Sequence, residues 1–173
     1  MAPQSAGILL FRRTTGIVQF LLAHPGGPFW SKKDEGSWSI PKGLYQEHET
    51  AIDAARRELQ EEIGLTITGD LVELGKFKQP SGKMISAWAA ESDFDVAELR
   101  SNSFSLEWPP KSGRQMEFPE VDRAGWFSIT EAAAKITKGQ LPILMRLAIE
   151  LGLDVSPAAK TSSSQTRRRG SDI

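Results

Sequence analysis

The first quarter of the chain alternates between short apolar runs and clusters of breakers. Residues 5–11 are almost continuously apolar and residues 17–23 alternate in part, with Thr14-Thr15-Gly16 between them. That pattern predicts two strands joined by a turn. A loop follows from His24-Pro25-Gly26-Gly27-Pro28 to Gly36, then a short strand at Trp38-Ser39-Ile40 closed by Pro41. Residues 66–78 and 84–90 predict two further strands, joined at Gln79-Pro80-Ser81-Gly82-Lys83. Residues 93–122, which hold Pro109-Pro110, Gly113 and Pro119, read as one long irregular loop. A loop of that length inside a compact domain points to function. Trp126-Phe127-Ser128 resumes a strand, and Ser128-x-x-Glu131 has the form of a capping box, with Gly139 as the helix stop. A last helix is expected over residues 141–151, ended by Gly152.

The strongest helical period lies between Thr50 and Gly64. Thr50-x-x-Asp53 can cap the start and Gly64 can end it, while Ile52, Ala55, Leu59 and Ile63 recur as a buried stripe. At about 100° per residue, Glu58 and Glu62 share one flank of that stripe and Glu61 stands one step further round. Ala51 and Ala54 on the same side are small, which predicts room for a ligand. Arg57 precedes Glu61 by one turn and can pair with it. Glu49, just before the helix, is placed to hold Arg57 or a ligand water. A cluster of glutamates on a helix is ordinarily a solvated face. Carboxylates this crowded also repel, and a divalent cation with phosphate oxygens as its other ligands is the natural compensation.

Composition narrows the setting. The 173 residues fit one domain, with 39% hydrophobic and 25% charged residues. The net charge of -1 and pI of about 6.2 give no basic field for nucleic acid. With no cysteine, disulfides, thiolate metal sites and a cysteine nucleophile are excluded. The first residues lack a charged segment followed by a long apolar one, and no apolar run reaches membrane-spanning length. A cytoplasmic protein without membrane attachment is therefore expected. Residues 156–173, rich in Ser, Thr and Arg, read as a disordered tail after a domain at 1–155, and Arg167-Arg168-Arg169 within it as solvated charge. Strands interleaved with helices predict an α/β sandwich with a mixed sheet.

A solvated helix face does not need the elements that flank these glutamates. Gly43-x5-Glu49-x7-Arg57-Glu58-Leu59-x-Glu61-Glu62-x-Gly64-Leu65 resembles, at every specified position, the signature of the Nudix hydrolase family. The resemblance implies the Nudix fold, an α/β/α sandwich, and Mg2+-dependent hydrolysis (Mn2+ as a substitute) of a nucleoside diphosphate linked to another moiety. By position it implies Glu58 and Glu62 as principal metal ligands and Glu61 as a further ligand or base. It also implies the Gly43 carbonyl as a backbone ligand, and Arg57 with Glu49 as the groups that orient them. Glu120, six residues before Trp126, resembles the extra glutamate of the branch that cleaves diadenosine tetraphosphate; Glu117 is its close rival.

Phosphate-rich substrates also need cations on the protein. Lys42, fixed by Pro41-Lys42-Gly43 at the mouth of the expected site, is the first candidate, followed by Lys83, Lys78 and Arg114. Trp30, Trp38 and Trp108 are candidates to stack a nucleobase, Trp38 being the one more suited to the core; Trp88 and Trp126 are assigned to the core. His24 and His48 have no partner spacing and read as structural or incidental. Gly7-x-Leu9-x-Phe11, Trp38-x-x-Pro41-Lys42-Gly43 and Lys83 resemble the diadenosine tetraphosphate hydrolases. The loop at His24–Pro28 and Glu107-Trp108-Pro109-Pro110 are instead similar to a bacterial group of NTP pyrophosphohydrolases. The expected substrate is thus a dinucleoside polyphosphate or an NTP. The competing class is a catalytically silent nucleotide-sensing domain on the same fold.

Overall fold

The computed structural model describes residues 3–155. Its centre is β1 (Gln4–Thr14), which pairs antiparallel with β2 (Ile17–Pro25) along its C-terminal half and with β3 (Lys42–Leu44) along its N-terminal half. Its other edge pairs parallel with β5 (Met84–Glu91), which takes β4 (Val72–Lys78) antiparallel. Strand β8 (Val121–Phe127) adds to β2 and completes a mixed six-stranded sheet in the order β4-β5-β1-β2-β8, with β3 beside β1.

Period-two alternation in β1 sorts the core into two layers. Ala6, Ile8 and Leu10 pack with Ala54, Ala55, Leu59 and Ile63 of α1 (Ala51–Ile63). Leu9 and Phe11 face the other way, towards α2 (Ile129–Lys135) and α3 (Leu141–Glu150), whose Ala132, Ile143, Leu144 and Leu147 share their cluster. The result is an α/β/α sandwich. Thr50 Oγ1 accepts from Asp53 N at the start of α1, and Gly64 at φ 85° supplies the left-handed residue that ends it. Ser128 and Glu131 form the reciprocal box at the start of α2.

Several elements depart from the expected pattern. Trp38-Ser39-Ile40 forms isolated bridges to Ala23 and Ile136 and not a strand, whereas Lys42–Leu44, expected as loop, is paired. Residues 66–71 are irregular because Arg56 uses their carbonyls, donating to Ile67 O at 2.6 Å and Gly69 O at 2.8 Å. Residues 93–122 are not one loop: β6 (Ser103–Glu107) and β7 (Gln115–Pro119) form a separate hairpin. There Phe104 pairs with Phe118 and Leu106 with Met116, and Pro109-Pro110 and Gly113 lie in the turn. Gly139 does not stop a helix; it sits in a single 3-10 turn, Lys138–Gln140, that runs directly into α3. Ala54 is fully buried against the sheet and leaves no space for a ligand. The tail expected at 156–173, with Arg167–Arg169, lies outside the described residues, and no helix among those described is long and apolar enough to cross a membrane.

His24 ties β2, β8 and the loop after β2 together. Its ring is fully buried; Nε2 donates to the Lys33 carbonyl at 2.6 Å and Nδ1 is bonded to Asp122 Oδ1 at 2.7 Å. Trp38 packs edge-on against it at 5.1 Å. Truncation removes the donor to the Lys33 carbonyl and the ring bonded to Asp122, so His24→Ala is expected to cost about 2–3 kcal/mol of unfolding free energy. Urea denaturation checks this, and an unchanged midpoint would contradict a structural role for the ring.

Candidate active site

The site grows from one row of α1. Ala54, Glu58 and Glu62 follow each other at one-turn spacing, so the row that starts in the core continues as two carboxylates held against β3. Close approach is possible because position 43 has no side chain: a Cβ there would overlap the Glu58 carboxyl. The Lys42 backbone N–H donates to Glu62 Oε2 at 3.2 Å. Space beside the acids thus comes from Gly43 and not from the alanines of the helix.

Arg57 binds Glu58 of this row together with Glu49 and Glu61. Its Nε and one Nη2 hydrogen grip Glu49 bidentately at 2.8 and 2.9 Å. Nη1 donates to Glu58 at 2.8 Å and to Glu61 at 3.0 Å, and the remaining Nη2 hydrogen reaches the Leu44 carbonyl at 2.9 Å. All five guanidinium donors are occupied. Bonding to Glu49, the largest influence, holds the Arg57 pKa above its ordinary value and the Glu49 carboxyl below its own.

Glu120 arrives from the junction of β7 and β8 by a backbone chain. Asn102 N donates to the Glu61 carbonyl at 2.8 Å, and Glu120 N donates to the Asn102 carbonyl at 2.7 Å. Partial burial first, then the charge of Glu61, pushes the Glu120 carboxyl up. Glu120 and its rival Glu117 are both exposed, Glu117 lying on β7 opposite Ser105. Sequence reasoning missed Asn102 and the Leu44 carbonyl, and an isolated asparagine or a backbone oxygen carries no signal that could have found them.

Electrostatically the site is overloaded with negative charge. Among the described residues, the cations that act on Glu49, Glu58 and Glu62 are Arg57 and Lys42, while Glu61 and Glu120 add further negative charge. Burial pushes Glu62 up to about 8 against the attraction of Lys42, and burial also raises Glu58. Burial and the nearby charge of Lys83 lower the Lys42 ammonium. Both members of the Lys42–Glu62 pair are thus driven towards their neutral forms, because desolvation outweighs their mutual attraction. Among the described residues no three acidic or imidazole side chains converge at ligating distance. The donor set still fits a hard divalent cation: oxygen donors only, surplus negative charge, and a glycine where a side chain would close the space.

The other candidates separate. Lys42 and Lys83 stand close enough to repel each other. Lys78 is exposed at the end of β4, and Arg114 is exposed beside the hairpin turn, its carbonyl accepting from Trp108 N. Trp38 is buried with Nε1 bonded to Asp34, whereas Trp30 remains 40% exposed. Trp108 packs edge-on against Phe29 at 5.4 Å.

Comparison with known proteins bears on this arrangement. The NUDIX domain family model matches residues 1–147. An RNA pyrophosphohydrolase of Psychrobacter sp. (strain PRwf-1) is 43% identical over 56 residues, 32% of this chain and 31% of that protein. The matched stretch therefore spans about a third of that relative. Caenorhabditis elegans (C. elegans) Ap4A hydrolase has a similar structure, with a TM-score of 0.59 and 19% identity over 87% of this chain and 99% of that one. The NUDIX domain of Shewanella oneidensis NrtR, complexed with ADP ribose, gives a TM-score of 0.60 at 13% identity, covering 87% and 89% of the two chains. At such identities the structural likeness establishes the shared fold, and the family match over most of the chain establishes membership: the chain belongs to the NUDIX family.

Proposed function

We propose that the protein is a Mg2+-dependent hydrolase of nucleoside polyphosphates, acting on a dinucleoside polyphosphate or an NTP. The observation that carries this reading is the five-bonded Arg57, which holds Glu49, Glu58 and Glu61 around a site that has more negative charge than its own cations can balance. A silent sensing domain has no use for so costly an assembly. Glu58, Glu62 and the Gly43 carbonyl would hold Mg2+ or Mn2+, with Glu61 and Glu120 as further ligands. The bound ion would supply positive charge to the phosphate oxygens and lower the cost of deprotonating an attacking water.

The chain's own residues do the rest. Arg57 fixes the rotamers of Glu58 and Glu61, and Lys42 with Lys83 balances the phosphates. A carboxylate of the cluster takes the proton as water oxygen bonds to phosphorus and the bridging oxygen leaves with the second phosphate. The similarity to an Ap4A hydrolase and to an RNA pyrophosphohydrolase supports an anhydride of this kind. A 43–65 region of this form, in a domain expected at 1–155, accounts for the reaction; substrate preference is assigned to the loops around it.

Two outcomes test the reading. Glu62→Gln is expected to reduce Mg2+-dependent turnover by several orders of magnitude with no loss of folding, since it weakens the main electrostatic stabilisation of the transition state. Equal turnover by both proteins on a panel of diadenosine polyphosphates, NTPs, ADP-ribose and capped RNA would refute it. The second concerns the metal-free protein. The folded-state pKa of Glu62, about 8, lies above the ordinary 4.5, so the folded state retains a proton that the unfolded chain has released. The stability this contributes is complete below pH 4.5 and is lost as pH rises towards 8. In EDTA the melting temperature should therefore fall across that window in the wild type and fall less in Glu62→Gln. Parallel curves would contradict the burial of an uncompensated carboxyl.

A further inference from the structure

A cavity of about 460 Å³ lies next to Lys42, between the loop after β2, the turn joining β4 to β5, and Gln140. Its lining includes Trp30, Lys42, Gln79, Pro80, Lys83 and Ile85. Lys42 belongs to both sites, because its backbone N–H donates to Glu62 while the residue lines the cavity. The volume suits a small-molecule ligand, for which pockets of about 300–1,000 Å³ are usual. Its wall is amphipathic in an ordered way. Lys42 and Lys83 both line it and stand close enough to repel one another, Lys42 also being attracted by Glu62, and neither takes part in a salt bridge among the described residues. Trp30, Pro80 and Ile85 supply apolar surface.

Trp30 is the unusual member. Its indole is left 40% exposed and lines the cavity. Lys33 Nζ stands 4.8 Å from its ring centroid, which covers part of the indole and restrains it. Gln79 is held in place from behind, its Nε2 donating to the Gly139 carbonyl at 2.9 Å. An exposed indole and two lysines lining one cavity match a nucleoside joined to phosphate.

We propose that this cavity seats the nucleoside end of the substrate, the base stacked on Trp30 and the phosphates passing Lys83 and Lys42 to reach Glu62. Trp30 is then a specificity-determining residue, and the ligand class is a base-bearing phosphate ester. This rests on reading the Glu58–Glu62 region as the seat of anhydride hydrolysis.

Binding of AMP, which has no anhydride to cleave, and of ribose 5-phosphate, which has no base, is measured by calorimetry on the full chain with Mg2+. Base stacking on an aromatic side chain is worth on the order of tenfold in affinity or more. Trp30→Ala should weaken AMP binding about tenfold by that measure, Trp30→Phe should restore most of it, and neither should alter ribose 5-phosphate binding. Lys83→Ala should weaken both ligands. Unchanged AMP affinity in Trp30→Ala, equal weakening of both ligands by it, or no AMP binding to the wild type would each overturn the proposal. A wild type that hydrolyses no nucleotide yet shows the Trp30-dependent preference for AMP would defeat the hydrolase reading and leave the nucleoside pocket standing.

Discussion

The guanidinium of Arg57 is the constraint on which the site depends. Five donors in one plane are satisfied by three carboxylates and one backbone carbonyl, drawn from the segment before α1, from α1 itself and from β3. Fixed fork geometry makes this possible, and lysine could not reproduce it. The arrangement positions Glu58 and Glu61 while sparing only part of their charge. It also fixes where α1 begins relative to β3, because Glu49 and Leu44 are gripped by the same group.

Packing then decides which acids are desolvated. The Ala54 row of α1 enters the core, so the next two members of that row, Glu58 and Glu62, are pressed against a strand whose Gly43 gives them space. Burial raises both carboxyls, Glu62 most, and the backbone N–H of Lys42 compensates only in part. Glu120 joins them through two backbone hydrogen bonds that pass over Asn102. The same fold that buries the acids presents Lys42 and Lys83 on a neighbouring cavity. Negative groups awaiting a cation beside positive groups awaiting an anion are what a metal–phosphate substrate requires.

Much of this was legible in the sequence where a local rule decides the outcome. The Thr50 cap, the Gly64 stop, the Ser128–Glu131 box and the apolar runs at residues 5–11, 17–23 and 84–90 all became the elements their patterns imply. The spacing of Arg57 and Glu61 likewise became a contact. Failures came where a tertiary partner overrode the local signal. Lys42–Leu44 is a strand only because β1 has a free edge there, and residues 66–71 are not one because Arg56 takes their carbonyls. The hairpin at 103–119 was hidden by Pro109-Pro110 and Gly113, although Phe104/Leu106 and Met116/Phe118 alternate on either side of them. Ala54 looked like space beside a ligand because periodicity alone cannot say how wide the buried stripe is.

The most direct test of the central claim is the Mg2+ affinity of Arg57→Ala against that of the wild type, measured by calorimetry on folded protein without nucleotide. If Arg57 holds the carboxylates in a ligating arrangement, its loss should weaken Mg2+ binding by about 10–100-fold, as removal of groups that orient metal ligands does. Equal affinity in the two proteins would contradict the account, because the acids would then need no organiser.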